Sequence, residues 1–296
     1  MNTIKTINRE NHPCFNFGAR NKFGRIHLPI APKCNIQCNF CNRKYSCVNE
    51  SRPGVTSAVL SPAQAIVYFD MIMEKIPNIS VMGIAGPGDA FANVEETLET
   101  IHRVREKYPF MLFCLSTNGL NILPYFDELI EFGLTHLTIT VSAVKKEIGA
   151  KIYAWVSDNG RTYYGEEAAE LLIGRQLEAV KAFSKAGIVV KVNFILLPGI
   201  NDQHAEEVAR EVSEAGANIF NCMPVYPVEG TPFANIREPK GIEVFKIREK
   251  CSKYIKQMTH CQRCRADAAG LLKDDNSEKT QDLLSVALAV SADLVT

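Results

Sequence analysis

Six short runs rich in β-branched and aromatic residues recur along the chain: Arg25 to Ile30, Ser80 to Ala85, Phe110 to Ser116, Thr135 to Val141, Ile188 to Leu197 and Asn218 to Met223. Each has the length of a strand. Helical patterns lie between them. The clearest begins at Ser61-Pro62-Ala63-Gln64, a capping box with proline at the first helical position. Gly133, Gly187 and Gly216 each close a helix just before the next strand. Strands that alternate with helices pair as a parallel sheet with right-handed crossovers, and six units are too few for the eight-stranded barrel. The expected fold is therefore α/β, an open partial (β/α)6 barrel. A site in such a fold forms where loops leave the carboxyl ends of the strands.

Those loops are Pro32 to Arg43, Gly86 to Ala90, Thr117 to Gly119, Ala143 to Gly165 and Pro224 to Pro232. The fourth is long and carries Tyr153, Trp155, Tyr163 and Tyr164, as a lid or as a surface excursion. The barrel is expected over 26–240. It has an amino-terminal extension over 1–25. A carboxyl-terminal segment over 241–296 holds a helix from Ile242 to Met258, a close cysteine pair, and an apolar run from Leu283 to Val295 that suits a terminal helix.

With 33 basic and 33 acidic side chains in 296 residues, the chain lacks the charge excess of a nucleic-acid binder. Lys191 and Asn193 interrupt the best apolar stretch, so no membrane span is expected. Met1 to Pro13 is polar throughout, unlike a secretory signal, which places the protein in the cytoplasm. In a reducing compartment ten cysteines read first as metal or redox chemistry rather than disulfides.

Cys34, Cys38 and Cys41 form C-x3-C-x2-C just after the first expected strand. Iron–sulfur clusters usually take four cysteines, so three in one compact loop leave an iron open for another ligand. A zinc knuckle completed by a distant residue is the alternative, although its pairs are normally C-x2-C. With Phe40 in this loop, the pattern resembles the radical S-adenosylmethionine (SAM) superfamily. The resemblance implies that Cys34, Cys38 and Cys41 hold a [4Fe-4S] cluster whose open iron chelates SAM, with Phe40 beside the adenine. It also places Gly86, Gly88 and Asp89 near the SAM methionine group, and Thr117, Asn118 and Asn193 near its carboxylate and ribose. An ordinary Gly-Pro-Gly turn and, for Asn193, a satisfied core amide are the plainer readings.

Further motifs narrow the resemblance: His12-Pro13-Cys14, Asn42 to Tyr45 after the triad, Glu50 to Val55, Ala85 to Asp89, Ser116 to Leu120, Leu197 to Asp202, and Cys261 to Asp267. In this order they are similar to the NifB family of nitrogenase cofactor biosynthesis proteins, in a short form without the carboxyl-terminal NifX-like domain of many members. The resemblance implies fusion of two [4Fe-4S] clusters, an added sulfur and a SAM-derived carbide into an eight-iron precursor. It further implies three clusters: one on the triad and two substrate clusters, held by His27, Cys47 and Cys114 and by Cys14, Cys261 and Cys264. The division of those six between the two clusters stays open. His27 reads either as a ligand or as a core histidine, and Glu50 and Arg52 either as site residues or as an exposed ion pair. Cys222 and Cys251 read as small apolar residues. His102, His136 and His204 are placed on surfaces. Implied partners are a low-potential donor such as a ferredoxin or flavodoxin, and a NifX-like or NifE–NifN-like acceptor. Another radical SAM maturase and a non-enzymatic cluster scaffold are the competing readings.

Overall fold

The structure, a computed structural model, describes residues 7–49, 51–52, 58–272, 274 and 280–290. Its strands are β1 (Gly24–His27), β2 (Ile36–Cys38), β3 (Ile79–Ile84), β4 (Leu112–Thr117), β5 (His136–Thr140), β6 (Tyr153–Asp158), β7 (Arg161–Tyr163), β8 (Val189–Leu196), β9 (Ile219–Pro224) and β10 (Ala269–Gly270). Its helices are α1 (Pro62–Lys75), α2 (Val94–Lys107), α3 (Phe126–Glu131), α4 (Lys146–Ile152), α5 (Gly165–Lys185), α6 (Ala205–Glu214), α7 (Gly241–Cys251) and α8 (Gln281–Ala289).

All six strands expected from the sequence are present as β1, β3, β4, β5, β8 and β9, and they pair in parallel in that order. The outer strands do not meet, so the sheet is a curled partial barrel. β10 adds to the β1 edge antiparallel, with Arg25 opposite Gly270. The capping box forms at Ser61 and Gln64. Gly133, Gly187 and Gly216 have φ of +75°, +80° and +100°, a left-handed backbone that glycine adopts without a Cβ clash.

Side chains alternate across the strands, and the alternation sorts them by chemistry. One face presents Met82, Ile84, Phe113, Leu115, Leu137, Ile139, Val190, Val192 and Phe220 to a core shared with Phe69 and Ile72 of α1, Ile101 of α2 and Val208 of α6. Each such side chain, fully buried, stabilises the fold by about 1.5–3 kcal/mol. Cys222 and Cys251 belong to this apolar layer. The inner face carries Gly83, Cys114, Ser116, Thr138, Lys191, Asn193 and Asn221, which line a cleft.

Three sequence expectations change. His136 and His204 are buried, at 1% and 5% exposure, because β5 is covered on both sides and His204 accepts from the Val144 amide. The stretch from Ala143 to Gly165 is neither lid nor excursion. It folds as α4 and the β6–β7 hairpin, and β6 pairs antiparallel with β2, the strand that ends in Cys38. The helix expected from Ile242 to Met258 stops at Cys251 as α7, and the chain turns back to pair Gln257 with Phe220.

Candidate functional site

The triad loop is held from below. Ile36, Gln37 and Cys38 pair with Val156, Trp155 and Tyr153 of the hairpin. The Gln37 side chain donates to the carbonyls of Cys38 (3.0 Å) and Cys41 (2.6 Å), and the Cys41 amide donates to the Cys38 carbonyl. Phe40, 1% exposed, packs in a core with Ile36, Tyr153 and Val156 and so anchors the loop. Asn49 Nδ2 lies 3.8 Å from Cys38 Sγ, and Asn118 Nδ2 lies 3.8 Å from Cys34 Sγ. Burial pushes the Cys34 thiol up to about 12, and Asp89 adds to it. Burial also raises Cys38, reinforced by Cys41 and then Cys34, and it raises Cys41. These three grouped thiols are protonated without metal, and binding iron must release their protons.

The glycine turn after β3 grips this loop closely. A Cβ on Gly88 would collide with the carbonyl oxygens of Lys33 and Ala31, and Gly86 has φ +109°. The Asp89 amide donates to the Lys33 carbonyl (2.8 Å), and the Cys47 amide donates to the Pro87 carbonyl (2.7 Å). The Asp89 carboxylate, 3% exposed, accepts from the Phe91 amide (2.9 Å), the Thr117 hydroxyl (3.0 Å) and the Asn118 amide. Burial raises its pKa while these donors oppose the rise. Its oxygens thus face protein donors rather than the mouth, and Asp89 locks the β3 and β4 loops together. Asn193 has partners at both ends of its amide: Asn221 donates to it (3.0 Å) and it donates to the Asn49 carbonyl (3.0 Å).

Beyond Asn49 opens a narrow cleft with about 60 Å³ of free volume. His12, Cys14, His27, Cys114, Cys261 and Cys264 line it, drawn from both ends of the chain and two strands. The ends are tied together: His260 Nε2 donates to the Pro13 carbonyl (3.1 Å), and the His27 amide donates to the Ala268 carbonyl (2.8 Å). Between Cys261 and Cys264, Arg263 has φ +47°; its guanidinium stacks 4.2 Å from the Tyr226 ring centre and donates to the Pro224 carbonyl. The Arg265–Asp267 pair at 2.7 Å, mostly buried, sets the next turn.

His27 Nδ1 lies 3.0 Å from the Arg265 carbonyl. A carbonyl only accepts, so Nδ1 carries the proton and the basic lone pair sits on Nε2, as in metal-binding histidines. Gly83 makes room for the ring, since a Cβ there would come within 2.8 Å of His27 Cδ2. Two buried cations face the cleft cysteines. Arg25, 0% exposed, is anchored on the Gly270 carbonyl (2.6 Å) and donates to Cys264 Sγ (3.1 Å). Lys191 sits over the Phe15 ring at 4.7 Å. Burial pushes the Cys14 thiol up to about 12, with Lys191 and Arg25 opposing the rise. Among the described residues no three potential ligands converge on a single ion. Ligands of a cubane stand farther apart, each on its own iron.

Residues 28–212 match the model of the radical SAM superfamily. The chain belongs to that superfamily. Among curated relatives of this radical SAM chain, it is 54% identical to the FeMo cofactor biosynthesis protein NifB of Chlorobaculum tepidum, over 95% of this chain and 66% of the relative. It is 45% identical to that of Klebsiella pneumoniae, over 92% and 59%. The chain thus spans somewhat less than two-thirds of these relatives. In fold it is similar to Streptococcus suis SuiB bound to S-adenosylmethionine (TM-score 0.56, 12% identity, 81% of this chain and 52% of that one). It is also similar to methylornithine synthase (TM-score 0.51, 14% identity, 88% and 81%). A radical SAM chain implies a [4Fe-4S] cluster and SAM, and the residues present fit the cluster: three grouped thiols, Cys38 and Cys41 buried and Cys34 half-buried, with side-chain amides approaching Cys34 and Cys38.

The structure thus sets eight of the nine expected cluster ligands, all but Cys47, in two neighbouring regions, the triad loop and the cleft. Cys47 is 8% exposed and is not among the residues lining the cleft. The Arg52 side chain is exposed, and its amide donates to the Cys264 carbonyl (3.1 Å). Glu50 lies outside the described residues. Sequence reasoning gave no site role to Arg25, Lys191 or Asn49, and took His12 only as part of a motif. For the first two the signal was a charged residue inside an apolar strand.

No helix among the described residues is long and apolar enough to cross a membrane.

Proposed function

We propose that this chain is an enzyme of nitrogenase cofactor assembly that fuses two [4Fe-4S] substrate clusters, a sulfur and a SAM-derived carbide into an eight-iron precursor. The observation that carries the proposal is the cleft: five donors, Cys14, His27, Cys114, Cys261 and Cys264, line one cavity beside the triad. An enzyme acting only on a small organic substrate has no need for them. The NifB relatives support the same reading.

SAM and the triad's cluster, when bound, supply a methyl group and a 5′-deoxyadenosyl radical. The protein's own residues hold and screen. Cys34, Cys38 and Cys41 would carry the resident cluster, and Gly86 and Gly88 let the turn after β3 pack against the Lys33 and Ala31 carbonyls of the triad loop, where a side chain would not fit. Asp89, through Thr117 and Asn118, fixes those loops relative to each other. Asn49 reaches toward the triad with Nδ2 while its carbonyl is held by Asn193, so it stands between the triad and the cleft. His27 and Cys114 of the cleft, with Cys47 from outside its lining, hold one substrate cluster, and Cys14, Cys261 and Cys264 hold the other. Arg25 donates to Cys264, which offsets negative charge gathered there. A ferredoxin or flavodoxin supplies the electron, and a NifX-like or NifE–NifN-like carrier accepts the product.

Anaerobic reconstitution with iron counting, followed by turnover with methyl-labelled SAM, tests the proposal. About twelve irons per chain, three cubanes, and label retained in an iron–sulfur product are expected. About four irons, or label found only in methionine, would refute it. His27→Ala should abolish nitrogen hyperfine coupling to a substrate cluster while leaving the triad's cluster in place.

A further inference from the structure

His12 lines the same cleft as Cys14, Cys261 and Cys264, at 1% exposure, wedged between Phe15 and His136 with ring centres 4.5 and 4.3 Å away. The Cys14 amide donates to its Nδ1 at 3.1 Å. That nitrogen is therefore an acceptor without a proton, so the ring is neutral and its only proton sits on Nε2. This N–H is buried and has no hydrogen-bond partner among the described residues. A buried donor left without an acceptor costs about 1–3 kcal/mol, so it calls for an acceptor that arrives with a ligand. His27 is wired the opposite way, with its proton on Nδ1. Two histidines on one cleft thus face it with opposite chemistry: one with a lone pair that can bind iron, the other with an N–H that cannot.

We propose that His12 Nε2–H is a hydrogen-bond donor to sulfur of the iron–sulfur cluster held by Cys14, Cys261 and Cys264. This rests on those cysteines binding a cluster. The acceptor is a bridging sulfide or thiolate sulfur, the atoms of such a cluster that bear negative charge. A donor there stabilises the reduced, more negative state and raises the reduction potential. Because the Cys14 amide fixes the tautomer, one short segment provides both a ligand and the donor beside it.

The test uses the full chain with Cys38→Ala and Cys47→Ala, which removes a ligand from each of the other two clusters. Reconstituted and reduced, this background should hold about four irons. It should show hyperfine coupling from a proton that exchanges in D2O. Adding His12→Phe, which keeps an aromatic ring against Phe15 and His136, should leave the iron content unchanged, remove one exchangeable proton coupling while that of Arg25 on Cys264 remains, and move the midpoint potential to a more negative value. Failure of the background to load iron overturns the cluster reading, and this proposal with it. Loading with coupling and potential unchanged by His12→Phe overturns the role of His12 alone. So does strong nitrogen coupling that disappears with His12→Phe, which would make it an iron ligand. Should His12→Phe not fold, judged by circular dichroism, the background alone decides: no exchangeable proton coupling beyond that of Arg25 refutes the donor.

Discussion

The triad loop and the cleft solve the same problem, gathering sulfur ligands, in opposite ways. The triad takes three cysteines from eight consecutive residues and braces them with a local hairpin and the Gln37 side chain. The cleft takes its donors from the amino-terminal segment, β1, β4 and the segment before β10, and depends on the whole sheet to bring them together. Locally wired ligands survive damage elsewhere. Ligands wired through the fold report on it, so perturbing either region tests how independent the two are.

The largest effect should come from Cys38→Ala. It removes a triad ligand, so reductive SAM cleavage, measured as 5′-deoxyadenosine, should fall to background while cleft iron stays. Loss of all iron would mean that the two regions are not separable. Next, Cys261→Ala with Cys264→Ala should lose about four irons and all fused product, yet retain some SAM cleavage. Full iron content would remove these thiols from the ligand set. Arg25→Met should be smaller but visible without any cluster. It strips a charged donor from the Gly270 carbonyl and from Cys264, and should destabilise the cluster-free protein by about 2 kcal/mol in urea unfolding. An unchanged midpoint would detach Arg25 from the architecture of the cleft.

The most gradual effect is a pH slope. Burial pushes His136 down to about 3, helped by the charges of Arg9 and Lys191, and His12 shifts in the same direction. Both titrate near 6.5 once unfolded. The unfolded chain therefore binds more protons below about pH 6.5. The stability contribution is complete above that pH and declines as pH falls toward the folded value, by on the order of 1 kcal/mol per pH unit for each histidine. Melting temperatures of the cluster-free protein between pH 8 and 5 should be level and then fall, and His136→Phe should flatten the decline.

The strands were legible because β-branched runs recur between helix patterns, and the triad because its chemistry is compressed into one loop. The cleft was less so. Cys14 and Cys264 could be named from motifs, but that Arg25 donates to one and Lys191 faces the other depends on strand register. His136 was misplaced because alternation within one strand does not show that both faces of β5 are covered. The hairpin beneath the triad escaped notice because Tyr153 and Trp155 lie far in sequence from Ile36 to Cys38, and antiparallel pairing across that gap leaves no local pattern.

The two residues of β10 carry a consequence for the order in which the molecule can be built. Ala269 and Gly270 fasten the Cys261–Cys264 segment to the β1 edge, and Gly270 presents a carbonyl that holds Arg25. On a growing chain, the triad loop and its hairpin leave the ribosome well before that segment exists. Domains generally fold as units, so the β1 edge stays uncovered and the cleft lacks one wall until that segment has been made. The last ligands to be translated complete the chamber in which the first ones act.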